Sequence, residues 1–446
     1  MLKMKEVALS TYIINLRNRR DRKAHILKEF EGRSEFNITV VEACEHHVGA
    51  IGLWQTINYI LQKLANNKEE YIIICEDDHQ FTNQYSKEIL LSCLDEAQKK
   101  EADVLLGGVS SGLSICPVSK SLFWLEKFSG LQFTVLFRRF FKTILEADFG
   151  NNDAADYKIS SLTTKKFFIY PFISIQKEFG YSDATVKNNA KGRVTELFNG
   201  ASSTVQCLQE VVAFYQSIQR NIRKENERET FDNIIIPTYV ITLPETTVRL
   251  EHIKKQFKER KEFDVTIVEA VEHEISAVGL WCTIRKIIQM ALVNEDDVII
   301  ICKDGHEFSK FYSEKFLVRN IIEAYYHGAD ILCGGVASFN QAIPLTPNRL
   351  WIDSFVPIQF IILYKKFFIK ILEEPFDNNV VPHELLSELT SNKMTLFPFI
   401  SVEKDLGSAN TSRKMNTCKI SDSFYKASKR IERLTRVSDQ YNLDRI

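Results

Sequence analysis

Tyr71-Ile72-Ile73-Ile74-Cys75-Glu76-Asp77-Asp78-His79 decides how this chain is organised. Its first five residues form a short apolar run without alternation, the pattern of a strand buried on both faces. The run stops abruptly at three carboxylates. The same stretch returns as Val298-Ile299-Ile300-Ile301-Cys302-Lys303-Asp304-Gly305-His306, with the acidic centre lost. The offset, 303 − 76 = 227, also relates Thr11-Tyr12 to Thr238-Tyr239, Gly107-Gly108 to Gly334-Gly335, and Trp124 to Trp351. It relates Pro171-Phe172-Ile173-Ser174 to Pro398-Phe399-Ile400-Ser401 as well. Solenoid units repeat every ~20–50 residues, so a repeat this long is a duplicated domain.

Outward from that strand, the first copy alternates strands and helices. Strands are expected at residues 7–16, 37–42, 71–75, 103–106, 133–137 and 166–170. Helices are expected at 22–30, 49–65, 87–100 and 138–146. This order predicts an α/β class: two tandem domains, each a mostly parallel sheet flanked by helices. Residues 204–229 and 421–440 are charged and amphipathic, so each copy ends in a long helix. The expected division is 1–200, a helical linker 201–230, 231–415, and a C-terminal helix 416–446. Either terminal helix could pack on its own domain, on the other domain, or on a second chain as a homodimer. The basic face of 426–436 could also touch an anionic membrane surface.

At 446 residues the chain has ample length for two cores. Its net charge of −1 argues against electrostatic binding to nucleic acid. Nine scattered cysteines without a CxxC motif fit reduced thiols and a cytoplasmic location rather than a zinc site. Cys75 and Cys302 fall in strands and are expected in the core. No signal-peptide pattern precedes the first strand. No uninterrupted apolar run approaches the ~18 residues of a transmembrane helix; residues 355–372 come nearest, broken by Lys365, Lys366 and Lys370.

Ligands of open α/β sheets bind outside the carboxyl ends of strands, where Glu76-Asp77-Asp78 lies. Three adjacent carboxylates repel one another, and a cation relieves this. Oxygen-only ligands suit Mg²⁺ or Mn²⁺, which would hold substrate phosphates as well. A solvated acidic turn is the plain alternative.

Three motifs in order resemble the glycosyltransferase family 25 group, the lipopolysaccharide and collagen galactosyltransferase-like enzymes. They are Ile14-Asn15-Leu16-Arg17-Asn18-Arg19-Arg20-Asp21-Arg22, the helix start Gly49-Ala50-Ile51-Gly52, and the strand ending in Glu76-Asp77-Asp78. The family continues its Gly-x-x-Gly helix with Cys and a Ser-His pair, where this chain has Leu53-Trp54-Gln55-Thr56. The resemblance implies a GT-A-like fold and a nucleotide-sugar donor, a UDP-sugar first, with a glycan or other hydroxyl acceptor. Carried over by position, Asn15, Leu16, Arg17, Arg22, Glu42 and Ala43 would lie near the nucleotide. Glu76, Asp77 and Asp78 would frame the ribose, diphosphate and metal, with Asp78 and Glu76 as the metal ligands. Ser182 and Asp183 resemble the segment that closes over the donor, or else cap a turn.

An inverting transferase needs a carboxylate to deprotonate the acceptor. In Asn151-Asn152-Asp153-Ala154-Ala155-Asp156 the first candidate is Asp156 and the second Asp153; helix capping is the competing role for both. In the second copy Arg17 becomes Pro244, Asp21 Val248, Glu76 Lys303, Asp78 Gly305, Asp156 His383 and Asp183 Asn410. The scaffold persists while the chemistry disappears, so catalysis is expected in the first copy and a silent duplicate in the second. The rival is a non-catalytic protein that binds sugar nucleotide, glycan or a partner. His46 and His79 recur as His273 and His306, and that recurrence points to structural hydrogen bonding rather than metal binding.

Overall fold

The computed structural model of the chain describes residues 8–66, 68–181, 186–222, 234–243, 247–404, 406 and 420–441. The chain divides into two compact units, Met1–Glu210 and Val211–Ile446. Each is built on an eight-stranded sheet flanked by helices, the α/β architecture expected.

The first unit opens with β1 (Leu9–Asn15), α1 (Arg20–Phe30), β2 (Phe36–Glu42), α2 (Gly49–Tyr59) and β3 (Tyr71–Glu76). There follow β4 (His79–Phe81), α3 (Lys87–Lys99), β5 (Val104–Leu106), β6 (Ser111–Leu113), β7 (Cys116–Pro117), β8 (Leu122–Trp124) and β9 (Lys127–Ser129). The unit continues with β10 (Phe133–Phe137), α4 (Arg138–Leu145), α5 (Ala155–Leu162), β11 (Lys166–Ile169), β12 (Ser174–Gln176) and α6 (Arg193–Ile222). The division between units falls inside α6. That helix starts earlier than the pattern suggested, and Val194, Phe198, Val205 and Leu208 are buried along it. The helix expected over 49–65 changes to a π-turn at Ile60–Leu64.

The sheet order is β2-β1-β3-β10-β5-β11-β8-β7. β1 pairs in parallel with both β2 and β3, and β5 with β11, while β10 runs antiparallel between β3 and β5. Because β2 and β3 flank β1, the chain reverses its winding there, and the crevice at such a switch point is where open sheets bind ligands. The register brings three strand ends to that crevice: Asn15 pairs with Glu42, and Ile14 with Glu76. Two glycine contacts shape the same edge. A Cβ on Gly108 would stand 2.2 Å from Ser174 O, and one on Gly52 would stand 2.4 Å from Cys44 O. Neither approach tolerates a side chain, which accounts for glycine at both positions and at their counterparts Gly335 and Gly279.

The second unit repeats the plan with β13 (Ile236–Thr242), α7 (Thr247–Phe257), β14 (Phe263–Glu269), α8 (Ser276–Val293), β15 (Val298–Lys303) and β16 (His306–Phe308). Next come α9 (Glu314–Tyr326), β17 (Ile331–Cys333), β18 (Ala342–Thr346), β19 (Arg349–Ile352) and β20 (Phe360–Tyr364). It closes with α10 (Lys365–Glu373), α11 (Pro382–Leu389), β21 (Lys393–Leu396), β22 (Ser401–Glu403) and α12 (Ile420–Gln440). Its sheet, β14-β13-β15-β20-β17-β21-β19-β18, reproduces the first strand for strand.

Among the described residues α8 is the one helix long and apolar enough to cross a membrane. Val278, Trp281, Ile284, Ile287 and Ile288 are buried along it. It therefore serves as a core helix, and it spans Arg285 and Lys286, which is why no uninterrupted apolar run was visible. The apolar face of α12 (Phe424, Ala427, Ile431, Leu434, Val437) is likewise buried in its own unit. Only the basic outer face, with Lys426, Lys429, Arg433 and Arg436, is left for any anionic surface. No disulfide joins the eight described cysteines, and Cys75 and Cys302 are fully buried.

Candidate active site

Two adjoining cavities open at the carboxyl edge of β1, β2 and β3. The larger, about 740 Å³, is lined by Ile14, Leu16, Arg19, Ala43, Cys44, His46, His47, Leu53, Glu76 and Asp77. The smaller, about 340 Å³, is lined by Arg22, Leu53, Glu76, Asp78, Ser110, Ser111, Ser129, Gly130, Asp156, Gln176, Lys177, Phe179, Tyr181 and Arg193. Leu53 and Glu76 belong to both walls.

Of the three consecutive carboxylates, the middle one is structural. Asp77 is buried and accepts from Asn15 Nδ2 at 2.9 Å and Arg22 at 3.2 Å, with Arg19 at 3.5 Å. Asn15 also donates to Arg19 O at 3.2 Å, so it clamps the β1–α1 loop onto Asp77. Both were expected beside the nucleotide. Asp77 lies in the turn after β3 and is the buried one of the three, so both side chains spend hydrogen bonds on the protein, while Asp77 still borders the larger cavity. The second unit keeps this bond: Arg249 reaches Asp304 at 3.0 Å.

Glu76 and Asp78 face the smaller cavity with Asp156. Burial, then Asp78, Asp77 and Asp156, pushes the Glu76 carboxyl well above the usual carboxylate range, against the pull of Arg22. Burial, then Asp77, pushes Asp78 up to about 7, opposed by Arg22 and Arg19. Asp78 Oδ2 is 3.5 Å from Arg22, while Oδ1 is buried without a hydrogen-bond partner. Among the described residues no group of three or more His, Cys, Asp or Glu side chains is gathered as a metal cage. Two carboxylates are enough for Mg²⁺ or Mn²⁺ held jointly with substrate phosphates. The unpartnered Asp78 oxygen is what such an ion would take, so the donor set fits.

Arg22 is buried between the rings of Phe179 and Tyr181, at 4.7 and 4.4 Å, and its guanidinium also donates to Tyr181 O. It therefore ties the 176–181 segment to the acidic turn as well as lining the cavity. Arg17 is exposed and Glu42 is exposed; neither lines either cavity, unlike Leu16 and Ala43.

Asp156 sits in the first turn of α5, one residue past its start, so it is not the cap residue; Ala154 is. Its carboxylate accepts from Gly130 N at 3.1 Å and Tyr157 N at 2.8 Å. Burial raises its pKa, opposed by those two N–H groups. Asp153 is placed differently. It accepts from Gly150 N at 2.9 Å and pairs with Lys158 at 3.3 Å, closing the loop before α5 outside the cavity. The second-choice base is thus a turn-closing residue. Ser182 and Asp183 lie outside the described residues.

The recurring histidines, His46 with His273 and His79 with His306, make structural hydrogen bonds in both units. His79 Nδ1 is 2.7 Å from Ser174 Oγ and His306 Nδ1 is 2.8 Å from Ser401 Oγ; burial lowers both pKa values to about 3. His46 and His273 each accept a backbone N–H two residues on, at 3.0 Å. The sequence did not single out Ser110, Ser111, Ser129 or Arg193, because serines at or beside the ends of short strands and a helix-start arginine carry no spacing signal.

No family model matches the chain, and no curated protein matches it. Among solved structures, A197 from STIV aligns at 12% identity and a TM-score of 0.28, over 39% of this chain and 87% of that one. UDP-glucose pyrophosphorylase aligns at 12% identity and a TM-score of 0.27, over 42% of this chain: 81% of that chain is covered without ligand and 80% with UDP-glucose bound. Likenesses this partial say nothing about what this chain binds or does.

Proposed function

We propose that the first unit is a metal-dependent glycosyltransferase that moves a sugar from a nucleotide sugar, a UDP-sugar first, to a glycan or other hydroxyl acceptor. The observation that carries this is the convergence of Glu76, Asp78 and Asp156 on one cavity that also presents Arg22, Lys177 and Arg193. The motif order that resembles family 25 supports the same conclusion. The adjoining cavity at Leu16 and Ala43 is of a size to take the nucleoside.

Glu76 and Asp78 would hold Mg²⁺ or Mn²⁺, and a cation bound there neutralises charge on the departing diphosphate. Arg22, Lys177 and Arg193 add fixed positive charge around the same leaving group. In an inverting transfer, Asp156 takes the proton of the acceptor hydroxyl as its oxygen bonds to the anomeric carbon and the bond from that carbon to the diphosphate oxygen breaks. Its raised pKa makes it the better proton acceptor, because base strength rises with pKa. Its two backbone hydrogen bonds fix the carboxylate's direction. The second unit offers Lys303, Gly305 and His383 at these positions and would not transfer sugar.

The test is a panel of nucleotide sugars with Mn²⁺, scoring release of the nucleoside diphosphate in the wild type and in Asp78→Ala. Release with one donor, lost in the variant, is the expected result. Tight donor binding with no release across hydroxyl acceptors would instead favour a non-catalytic sugar-nucleotide-binding protein.

A further inference from the structure

The second unit keeps the frame of the acidic centre and reverses its charge. Lys303 ends β15 where Glu76 ends β3, and His383 lies in the first turn of α11 where Asp156 lies in that of α5. Lys303 bears electrostatically on the His383 imidazole, as Asp156 bears on Glu76. Among the described residues Lys303 has no ion-pair partner. Arg249 is more open than its counterpart, with 25% of its side chain exposed against 5% for Arg22.

An independent observation lies beneath this cluster. Gly305 replaces Asp78, and a Cβ there would stand 3.6 Å from Gln359 Nε2. Gln359 is 1% exposed, yet neither its Oε1 nor its Nε2 has a partner. Its counterpart Gln132 donates from Nε2 to Gly108 O at 3.0 Å. A buried amide without partners is costly until something hydrogen-bonds it, and this one faces the space that the lost carboxylate vacates. The backbone of the same residue accepts from Lys303 N at 3.1 Å, so the two residues stand side by side at one sheet edge.

We infer that Lys303, His383 and the Gln359 amide form a metal-independent site for a phosphate or diphosphate group. The ammonium supplies the charge that a metal supplies in the first unit, and the buried Nε2 and the imidazole supply donors to phosphate oxygens. Glu403, in the place of Gln176, opposes it, since its Cγ lies 3.6 Å from the Gly305 position.

Calorimetry on the full chain in EDTA tests this, with pyrophosphate, UDP and uridine as separate titrants. Stoichiometric binding of pyrophosphate is expected, weakened about tenfold or more in Lys303→Met, since a charge-assisted contact is lost. Binding should tighten in Glu403→Gln and stay unchanged in Lys365→Met, a lysine at the opposite end of β15 from Lys303. UDP binding more tightly than pyrophosphate identifies a nucleotide as the source of the phosphate, and equal affinity identifies free phosphate. The inference is overturned by absent pyrophosphate binding, by uridine binding as well as UDP, or by a Lys303→Met protein that binds normally. Should Lys303→Met melt abnormally, His383→Ala answers the same question. Because EDTA removes the first unit's metal chemistry, failure of the transferase proposal leaves this measurement intact.

Discussion

The two units share a sheet order, a strand register and a set of buried polar contacts, and they differ where the carboxylates are. Asp77 with Arg22, His79 with Ser174, and the Gly108 approach to Ser174 all have partners of the same geometry in Asp304 with Arg249, His306 with Ser401, and Gly335 with Ser401. Glu76, Asp78 and Asp156 have none. A residue that stays in the unit stripped of acidic chemistry serves the fold. One that leaves while the fold stays intact serves something else. Applied to three consecutive carboxylates, the comparison separates Asp77 from its neighbours, which spacing alone could not do.

The strongest way to break the comparison is to exchange the roles it assigns. Asp78→Ala should abolish transfer, a greater loss than the roughly 10–100-fold typical of outer-shell partners of a metal, while Asp304→Ala should leave the first unit's turnover unchanged. Measured turnover with Mn²⁺ decides it; equal losses would show that the two turns do the same work. Next in size is Asp156→Asn. Asn keeps the shape and can keep one of the two backbone hydrogen bonds, because Gly130 N and Tyr157 N are held by different carboxylate oxygens, but it takes no proton at neutral pH. Turnover should fall by about 10²–10⁴-fold with donor affinity near normal. Near-normal turnover would leave Asp156 as a loop anchor, and Asp153, committed to Gly150 and Lys158, could not replace it.

Much of this was legible in the residues. The buried run of residues 71–75, the duplicated Gly-Gly and the alternation of periods lead directly to two α/β units and to the edge that carries the site. What escaped was geometric. Asn15 and Asp77 look like ligand contacts because polar residues at strand ends usually are; only the register and the inward turn of Asp77 show that they bind each other. Arg17, inside the first motif, and Glu42, at the end of β2, are exposed and line neither cavity. Ser110, Ser111, Ser129 and Arg193 come from segments far apart in sequence that meet only when the sheet closes. The polar interior of the second unit was equally hidden. Arg349, His327 and Asn320 stand where the first unit has Leu122, Lys100 and Cys93.

A third prediction sharpens the structural half of the comparison. Asp77→Ala leaves the Arg22 guanidinium buried with its main partner gone, which typically costs about 3–5 kcal/mol, or roughly 6–20 °C in Tm for a unit of this size. Asp304→Ala should cost nearer the ~1 kcal/mol of pairs that solvent reaches, because a quarter of the Arg249 side chain is exposed. Thermal melting of the two variants, read by circular dichroism, would overturn this if their order were reversed.

The smallest effect distinguishes the units by pH. His327 is buried against Arg349, whose guanidinium lies 3.2 Å from His327 Nδ1 and also holds Asn320 at 2.7 Å and Glu323 at 2.6 Å. Burial, then Arg349, lowers the His327 pKa to about 4. Between that value and the ordinary ~6.5, the unfolded chain binds a proton that the folded chain refuses, so stability rises with pH. The contribution is complete above about pH 6.5 and is lost as the pH falls toward 4. It amounts to at most about 3 kcal/mol, since each tenfold drop in proton affinity is worth roughly 1.36 kcal/mol. The first unit has Lys100 rather than a histidine at this position and carries no such penalty there on acidification. Denaturation of the full chain at pH 7 and at pH 4.5 should therefore show a loss that His327→Gln reduces. Gln can still accept from Arg349 through its side-chain oxygen but takes up no proton. An equal loss in wild type and His327→Gln would place the acid sensitivity elsewhere, with the paired histidines His79 and His306, which titrate lower still, as the groups common to both units.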